Sequence, residues 1–510
     1  MSFMSELNRT LGNEFNQSRT ENGALGYRTT QRPLLDMNFK VASYRQMNEI
    51  QIMNDFMKAF YEDKVMAMKW LFYVRDIRGG LGERRLFRVI FKHLAQTEFN
   101  FIRKLVPLMA EYGRYDDLMI LFHTPLEGDM LQIIKTTLEA DMAAMRNNQS
   151  ITLMGKWLPS ENASSYKTKE NALKVIGAIG ITARQYRKML SALRKHIGII
   201  ETMMSNKEWS AIDYSAVPSR ANLIYNGAFI RNDETRRREF LSRLEKGEVK
   251  INAATLYPHD IAHKYIADYS DWGSQKVGQR DAAIEGLWKA LPDYVQGDES
   301  TIVVADGSGS MTSTVSGNIQ ALTVANALAI YFAERAKGQF QNKYITFSER
   351  PQLVNLNGGS LRDNLNIALQ HSEVANTNVE AVFDLILQTA INGRMTQNEL
   401  PRNVLVISDM EFDSCASTNS SRHGVNARLF EVIDQRYRNA GYTLPRLVFW
   451  NVNSRTGTIP VKENDAGVAL VSGFSPAVVK MVLSNKLDPY EAMCDILNSE
   501  RYAPVGEALA

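Results

Sequence analysis

Thr301-Ile302-Val303-Val304-Ala305-Asp306-Gly307-Ser308-Gly309-Ser310-Met311 is an apolar strand that stops at a carboxylate and then sets two hydroxyls on alternate residues. The unbroken run of Ile and Val is that of a strand buried on both faces. Past its end Asp306, Ser308 and Ser310 can be aimed at one point, with Gly307 and Gly309 letting the turn tighten. Oxygen donors of this kind suit a hard cation, Mg²⁺ or Mn²⁺. Two later stretches can complete the set. Asn376-Thr377-Asn378-Val379 places a loop threonine before a helix, and Asn403-Val404-Leu405-Val406-Ile407-Ser408-Asp409 is a second buried strand ending in a carboxylate. Open α/β sheets bind ligands at the carboxyl ends of their parallel strands. Asp306, Ser308, Ser310, Thr377 and Asp409 are therefore expected to meet.

Other chemistries fit the same residues less well. A phosphate-binding loop ends in Gly-Lys-Ser/Thr, and no lysine follows Gly309 before Lys337. Ser308 as a hydrolase nucleophile needs Gly-x-Ser-x-Gly and a placed histidine; Ala305 to Gly309 lacks that spacing, leaving His371 or His423 as the base. His259-Asp260-Ile261-Ala262-His263 has two histidines four apart, but Asp260 replaces the glutamate of a zinc-protease helix and no third ligand is evident.

A chain of 510 residues exceeds what one core usually holds, so two or more domains are expected. With 45% hydrophobic and 23% charged residues and no membrane-length apolar run, it reads as an ordinary soluble protein. The amino terminus has no apolar signal region, and two cysteines, Cys415 and Cys494, make no disulfide framework. A cytoplasmic location is expected. Charge is uneven: residues 1–300 carry a net +6 and residues 301–510 a net −3, with nine basic against two acidic residues in 151–200. A polyanion would meet that region first.

Residues 1–35, rich in Asn, Thr, Arg and Gln without periodicity, read as an extended or mobile arm. Residues 36–298 have helical spacing, as in Met53, Phe56, Met57, Phe60 and in Ile134, Leu138, Met142, Met145. Moderate helices with short breaks predict an α-solenoid of HEAT-like pairs, as an open arc or a closed ring. From 299 to 498 short apolar runs alternate with helices, which predicts a doubly wound α/β domain. Strands are expected at 301–305, 343–348, 352–356, 403–408, 446–450 and 467–471, with helices including 319–336, 378–390, 425–440 and 476–484. The short link Ser348-Glu349-Arg350-Pro351 predicts one antiparallel edge strand. Residues 499–510 are left as a tail.

Within the helical part, 184–200 separates on a helical projection into two faces. Arg184, Arg187, Lys188, Arg194 and Lys195 form a basic ridge opposite Tyr186, Met189, Leu190, Leu193, Ile197 and Ile200. Such a ridge attracts phosphates, although a solvated helix face has the same pattern. Arg75 to Arg85, with Gly79, Gly80 and Gly82 among charges, is either a helix corner fixed by arginine–acid pairs or a phosphate contact.

The five-residue pattern at Asp306, Ser308, Ser310, Thr377 and Asp409 resembles the metal-ion-dependent adhesion site of von Willebrand factor A domains. Together with the glycine corner and the all-helical span, it resembles Ro-type proteins, in which a TROVE module of HEAT-like repeats is joined to such a domain. Ser408-Asp409-Met410-Glu411-Phe412-Asp413 brings the chain closer still to an uncharacterised bacterial and viral family of that plan. The resemblance implies a non-catalytic protein binding small non-coding or damaged RNA, with a metal whose open position accepts a carboxylate from a protein partner. The alternative is a metal-dependent protein-interaction scaffold or assembly factor without RNA. Neither partner the resemblance implies is a membrane.

Overall fold

The computed structural model describes residues 16–20, 25–266, 277–295, 300–347, 350–372, 379–411, 433–459, 468–478 and 488–510. The chain forms two compact units, one of Asp63–Thr255 with Leu497–Ala510, the other of Met1–Glu62 with Leu256–Ile496. Among the described residues no helix is long and apolar enough to cross a membrane.

The first unit is helical. Helix α1, Lys64–Arg75, starts where the Asp63 carboxylate accepts from Met66 N–H. Helix α2, Arg84–Thr97, turns Leu86, Phe87, Ile90, Phe91 and Leu94 inward. There Phe72 meets Phe87 and Phe91 edge-on, with ring centroids 5.5 and 6.1 Å apart. The glycine corner between α1 and α2 proves to be a structural joint. A Cβ on Gly80 would lie 1.9 Å from the Tyr73 carbonyl oxygen, so the backbone passes where only glycine fits. Buried Arg75 pairs with buried Asp117 at 2.8 Å, and Arg88 reaches the other oxygen of that carboxylate at 2.6 Å.

Helices α3, Glu127–Arg146, α4, Tyr166–Ile179, and α5, Ala183–Ile197, pack on one another. Sequence chemistry sets their ends. Ser165 caps α4, a Thr182–Gln185 capping box opens α5, and Gly180 and Gly198 close the two helices at φ of +77° and +71°. The tail expected at 499–510 is built into this unit. Helix Ala503–Leu509 packs on α1, and Arg501 grips Asp76 through two nitrogens at 2.8 and 3.0 Å. Tyr502 is buried beneath Tyr112, ring to ring at 5.7 Å.

The second unit carries the sheet. Strands β1 (Thr301–Asp306), β2 (Lys343–Phe347), β3 (Leu353–Asn355), β4 (Asn403–Ser408), β5 (Arg446–Asn451) and β6 (Val468–Ser472) run in the order β6-β5-β4-β1-β2-β3. All pairs are parallel except β2 with β3. This is the doubly wound arrangement with one reversed edge strand that the alternation predicted. The helical-plus-sheet plan implied by the Ro-type resemblance is present. Order reverses between β1 and β4, which places the ends of those two strands at the switch point. Helix α6, Ala321–Arg335, buries every residue from Ala321 to Ala333 and packs against β1, β2 and β4, as an all-round apolar helix must. Helix α7, Leu361–Gln370, was not among the expected helices; helix α8, Val379–Gly393, was. The helix expected at 425–440 is described from residue 433, and of the one expected at 476–484 only Pro476–Val478 is described, as a 3₁₀ turn.

The division by sequence at 35 and 298 differs from the one observed. Described residues before 63 belong to the sheet unit, held by hydrogen bonds that no periodicity reveals. Tyr27 and Ile459 exchange backbone bonds at 2.8 Å, Asn451 Nδ2 donates to the Phe39 carbonyl at 2.8 Å, and Ser43 Oγ donates to the Ser454 carbonyl at 2.6 Å. The described part of the expected arm, 16–20 and 25–35, is ordered against Thr458 and Ile459 in the loop after β5, with a hairpin at Gln17–Arg19 and Leu25–Tyr27.

Candidate metal centre

Asp306 is the last residue of β1 and Asp409 the first past β4, both about 1% exposed. Adjacent parallel strands deliver their carboxylates to the same sheet edge. Asp306 Oδ1 accepts from Ser308 N–H at 2.8 Å, a turn that lifts the chain into the 3₁₀ segment Gly309–Thr312. Asp306 Oδ2 accepts from Ser408 Oγ at 2.6 Å. Ser308 Oγ and Ser310 Oγ stand 3.0 Å apart, hydrogen-bonded to each other. Four of the five expected ligand positions, Asp306, Ser308, Ser310 and Asp409, thus gather; Thr377 lies outside the described residues.

The electrostatics are those of a site short of positive charge. Burial, then the charge of Asp306, push the Asp409 carboxyl up to about 7, against the lowering effect of the Ser310 hydroxyl. Asp409 Oδ1 accepts from Glu411 N–H at 3.2 Å, while Oδ2 is buried with no hydrogen-bond donor. A buried carboxylate oxygen without a donor beside a second buried carboxylate is costly unless a cation joins them. These donors fit Mg²⁺ or Mn²⁺, which take carboxylate and hydroxyl oxygens. No three His, Cys, Asp or Glu side chains converge on one point among the described residues. The donor set thus depends on its serines.

Three contributors carry no role in the sequence reading, although two of them, Met410 and Glu411, stand in the Ser408 to Asp413 motif. Met410 adopts φ of +63°, an uncommon conformation for a non-glycine residue, directly after Asp409. Buried Glu411 accepts from Arg455 N–H and Thr456 N–H, both at 2.9 Å, and fixes the loop after β5. That loop brings Arg455 Nη2 to 3.7 Å from Asp409 Oδ2. Strand alternation after Asp409 hints at Glu411, but nothing local marks Arg455.

The alternative chemistries find little. Ser308 Oγ bonds a serine, and His371 Nδ1 sits 3.1 Å from Gln352 Oε1 instead; His423 lies outside the described residues. His259 stacks on Tyr257 and meets Phe474 edge-on, while His263 Nε2 reaches Asn318 Oδ1 at 3.1 Å.

In the helical unit the basic ridge on α5 is narrower than the projection predicts. Arg184, Lys188 and Lys195 are exposed. Arg187 is exposed but paired with Glu161. Arg194 is half-buried and donates to the Gly155 and Leu158 carbonyls at 3.0 and 3.1 Å, fixing the loop before α4. Its guanidinium meets groups of a separate segment, Gly155 to Ser160, which no wheel displays. Neighbouring α4 adds exposed Lys167 and Lys169.

A model of a domain of unknown function, DUF7788, matches residues 300–501, and a second, DUF2828, matches residues 178–299. An uncharacterised protein, L728 of Acanthamoeba polyphaga mimivirus, is 30% identical over 533 residues, spanning 96% of this chain and 89% of its own. The crystal structure of the Deinococcus radiodurans Ro (RSR) protein aligns over 94% of this chain and 95% of its own, at 12% identity and a TM-score of 0.32.

Proposed function

This chain belongs to the family of the mimivirus protein L728, and from that premise we propose that it is a non-catalytic RNA-binding protein of Ro-like type with a divalent-cation centre in its sheet unit. The observation that carries the centre is the buried pair Asp306 and Asp409, with Asp409 Oδ2 lacking a donor. Asp306, Ser308, Ser310 and Asp409 would hold Mg²⁺ or Mn²⁺, with Thr377 as the fifth ligand. A cation bound there supplies an open coordination position for an acidic group of a protein partner. RNA is assigned to the helical unit on charge, through Arg184, Lys188 and Lys195, with Arg187 shared with Glu161. Arg194 leaves the RNA-binding set and becomes a loop anchor.

The test is binding of single-stranded RNA at two salt concentrations, with the nucleic-acid content of the purified protein measured first. Neutralising Arg184, Lys188 and Lys195 together is expected to weaken binding and flatten the salt dependence by about two units of log–log slope, at ~0.7 per phosphate contact. Salt-insensitive binding, or none, sinks the RNA assignment. The loss of two cations from the ridge favours the second reading, a metal-dependent protein scaffold. Capture of a protein partner that requires Mg²⁺, survives nuclease and fails in Asp306→Ala would establish it.

A further inference from the structure

We propose that Arg455 is the built-in counter-cation of this centre: its guanidinium holds the place of a divalent cation on Asp409 and gives that place up when one binds. The inference rests on the cation-binding reading above. Two buried carboxylates need positive charge near them, and Arg455 Nη2 stands 3.7 Å from the Asp409 oxygen that takes no hydrogen bond. That separation is too long for a hydrogen bond and short enough for an ion pair.

The placement is built. Glu411, two residues past Asp409, accepts from the backbone of Arg455 and Thr456 and from the Thr456 hydroxyl at 3.1 Å. Asn451 at the end of β5 accepts from Asn453 N–H and Ser454 N–H at 3.0 and 2.8 Å, and Ser454 Oγ accepts from Gly457 N–H at 2.9 Å. The same short segment that carries Asp409 thus pins the loop that carries its arginine. The backbone is fixed while the side chain is 36% exposed, so the guanidinium stands where the buried site meets solvent.

A guanidinium and a divalent cation within about 4 Å of one oxygen repel each other strongly. Arg455 therefore keeps the two carboxylates tolerable in the cation-free fold and lowers the affinity of the centre for metal. Once displaced, it sets a positive charge beside the open position, so an acidic partner is favoured only in the loaded state. Arg455 is a positioning and specificity residue, not a ligand.

The experiment titrates the full chain with Mn²⁺, following the paramagnetic resonance of the free ion, for wild type, Arg455→Gln, Arg455→Lys and Asp409→Asn. Arg455→Gln is expected to bind Mn²⁺ about fivefold more tightly, in line with a partly exposed ion pair, and Arg455→Lys to stay near wild type. Unchanged or weaker binding by Arg455→Gln, with wild type binding normally and Asp409→Asn not, overturns the exchange and leaves the centre standing. Absence of Mn²⁺ binding by wild type removes the centre and the inference with it. Thermal melts without metal check that each variant is folded.

Discussion

Asp409 is a buried acid and Glu334 a half-buried one; desolvation raises both carboxyls, yet they differ in what surrounds them. Asp409 lacks a donor at one oxygen, whereas Glu334 accepts from Trp288 Nε1 at 2.7 Å and Asn364 Nδ2 at 2.8 Å. The first is expected to bind a cation and the second to remain structural. Asp409→Asn should leave the cation-free protein as stable as wild type or more so, because relief from burial of the charge and from repulsion by Asp306 outweighs the loss of the partly exposed pair with Arg455. If the centre binds Mg²⁺ as proposed, wild type should melt at a higher temperature with the metal than without it and Asp409→Asn should show no such rise, a comparison made by scanning fluorimetry. At Glu334 the sign follows from the upward shift. A carboxyl raised in the folded state contributes stability at low pH and loses it as pH climbs from about 4.3, the unfolded value, through the raised folded one. The stability of wild type relative to Glu334→Gln, from denaturant melts across that window, should therefore fall with increasing pH; a rise would mean that the hydrogen bonds outweigh burial.

Elements are joined here by single residues at their ends. Gly80 in the corner between α1 and α2 has no room for a Cβ, whereas Gly177 on α4 has nothing within 4 Å of where one would lie. Gly80→Ala should cost about 3 kcal/mol or more, as forced backbone displacement does. Gly177→Ala should stabilise by about 0.5–1 kcal/mol through helix propensity. Chemical denaturation of the pair separates a required glycine from an incidental one. At the start of α7, Glu285 is 2% exposed and accepts from Leu361 N–H at 2.9 Å, Arg362 N–H at 3.1 Å and the Tyr265 hydroxyl at 2.8 Å. An acid from a distant segment thus serves the helix N-terminus alongside Ser360. The signal at Ser360 and Asp363 is local and was open to reading; the one at Glu285 was not.

For the molecule as a whole, the units are not consecutive pieces of chain. Residues 497–510 return to the helical unit, where Arg501 supplies the counter-charge to Asp76, itself 0% exposed. Truncation before Ser499 should leave that buried carboxylate unpaired and uncover Tyr112, costing about 3–5 kcal/mol. Faster hydrogen exchange and proteolysis in residues 63–255, with the sheet protected, would be the signature. Equal effects in both units would contradict the division.

The amino-acid order alone determined the six strands, the reversed edge, the helical half and the placing of Asp306 and Asp409 at strand ends. Each is written in local apolar runs and periodicities, and two adjacent buried strands that end in carboxylates can hardly avoid bringing them together. Tertiary structure decided that Arg194 serves a loop, that Arg455 faces Asp409, that described residues before 63 pack with the sheet unit and that residues 497–510 return to the helical one. Those outcomes depend on hydrogen bonds and ion pairs between residues tens to hundreds of positions apart. Such contacts arise from where the packed elements place side chains in space, and leave no periodic trace in the chain.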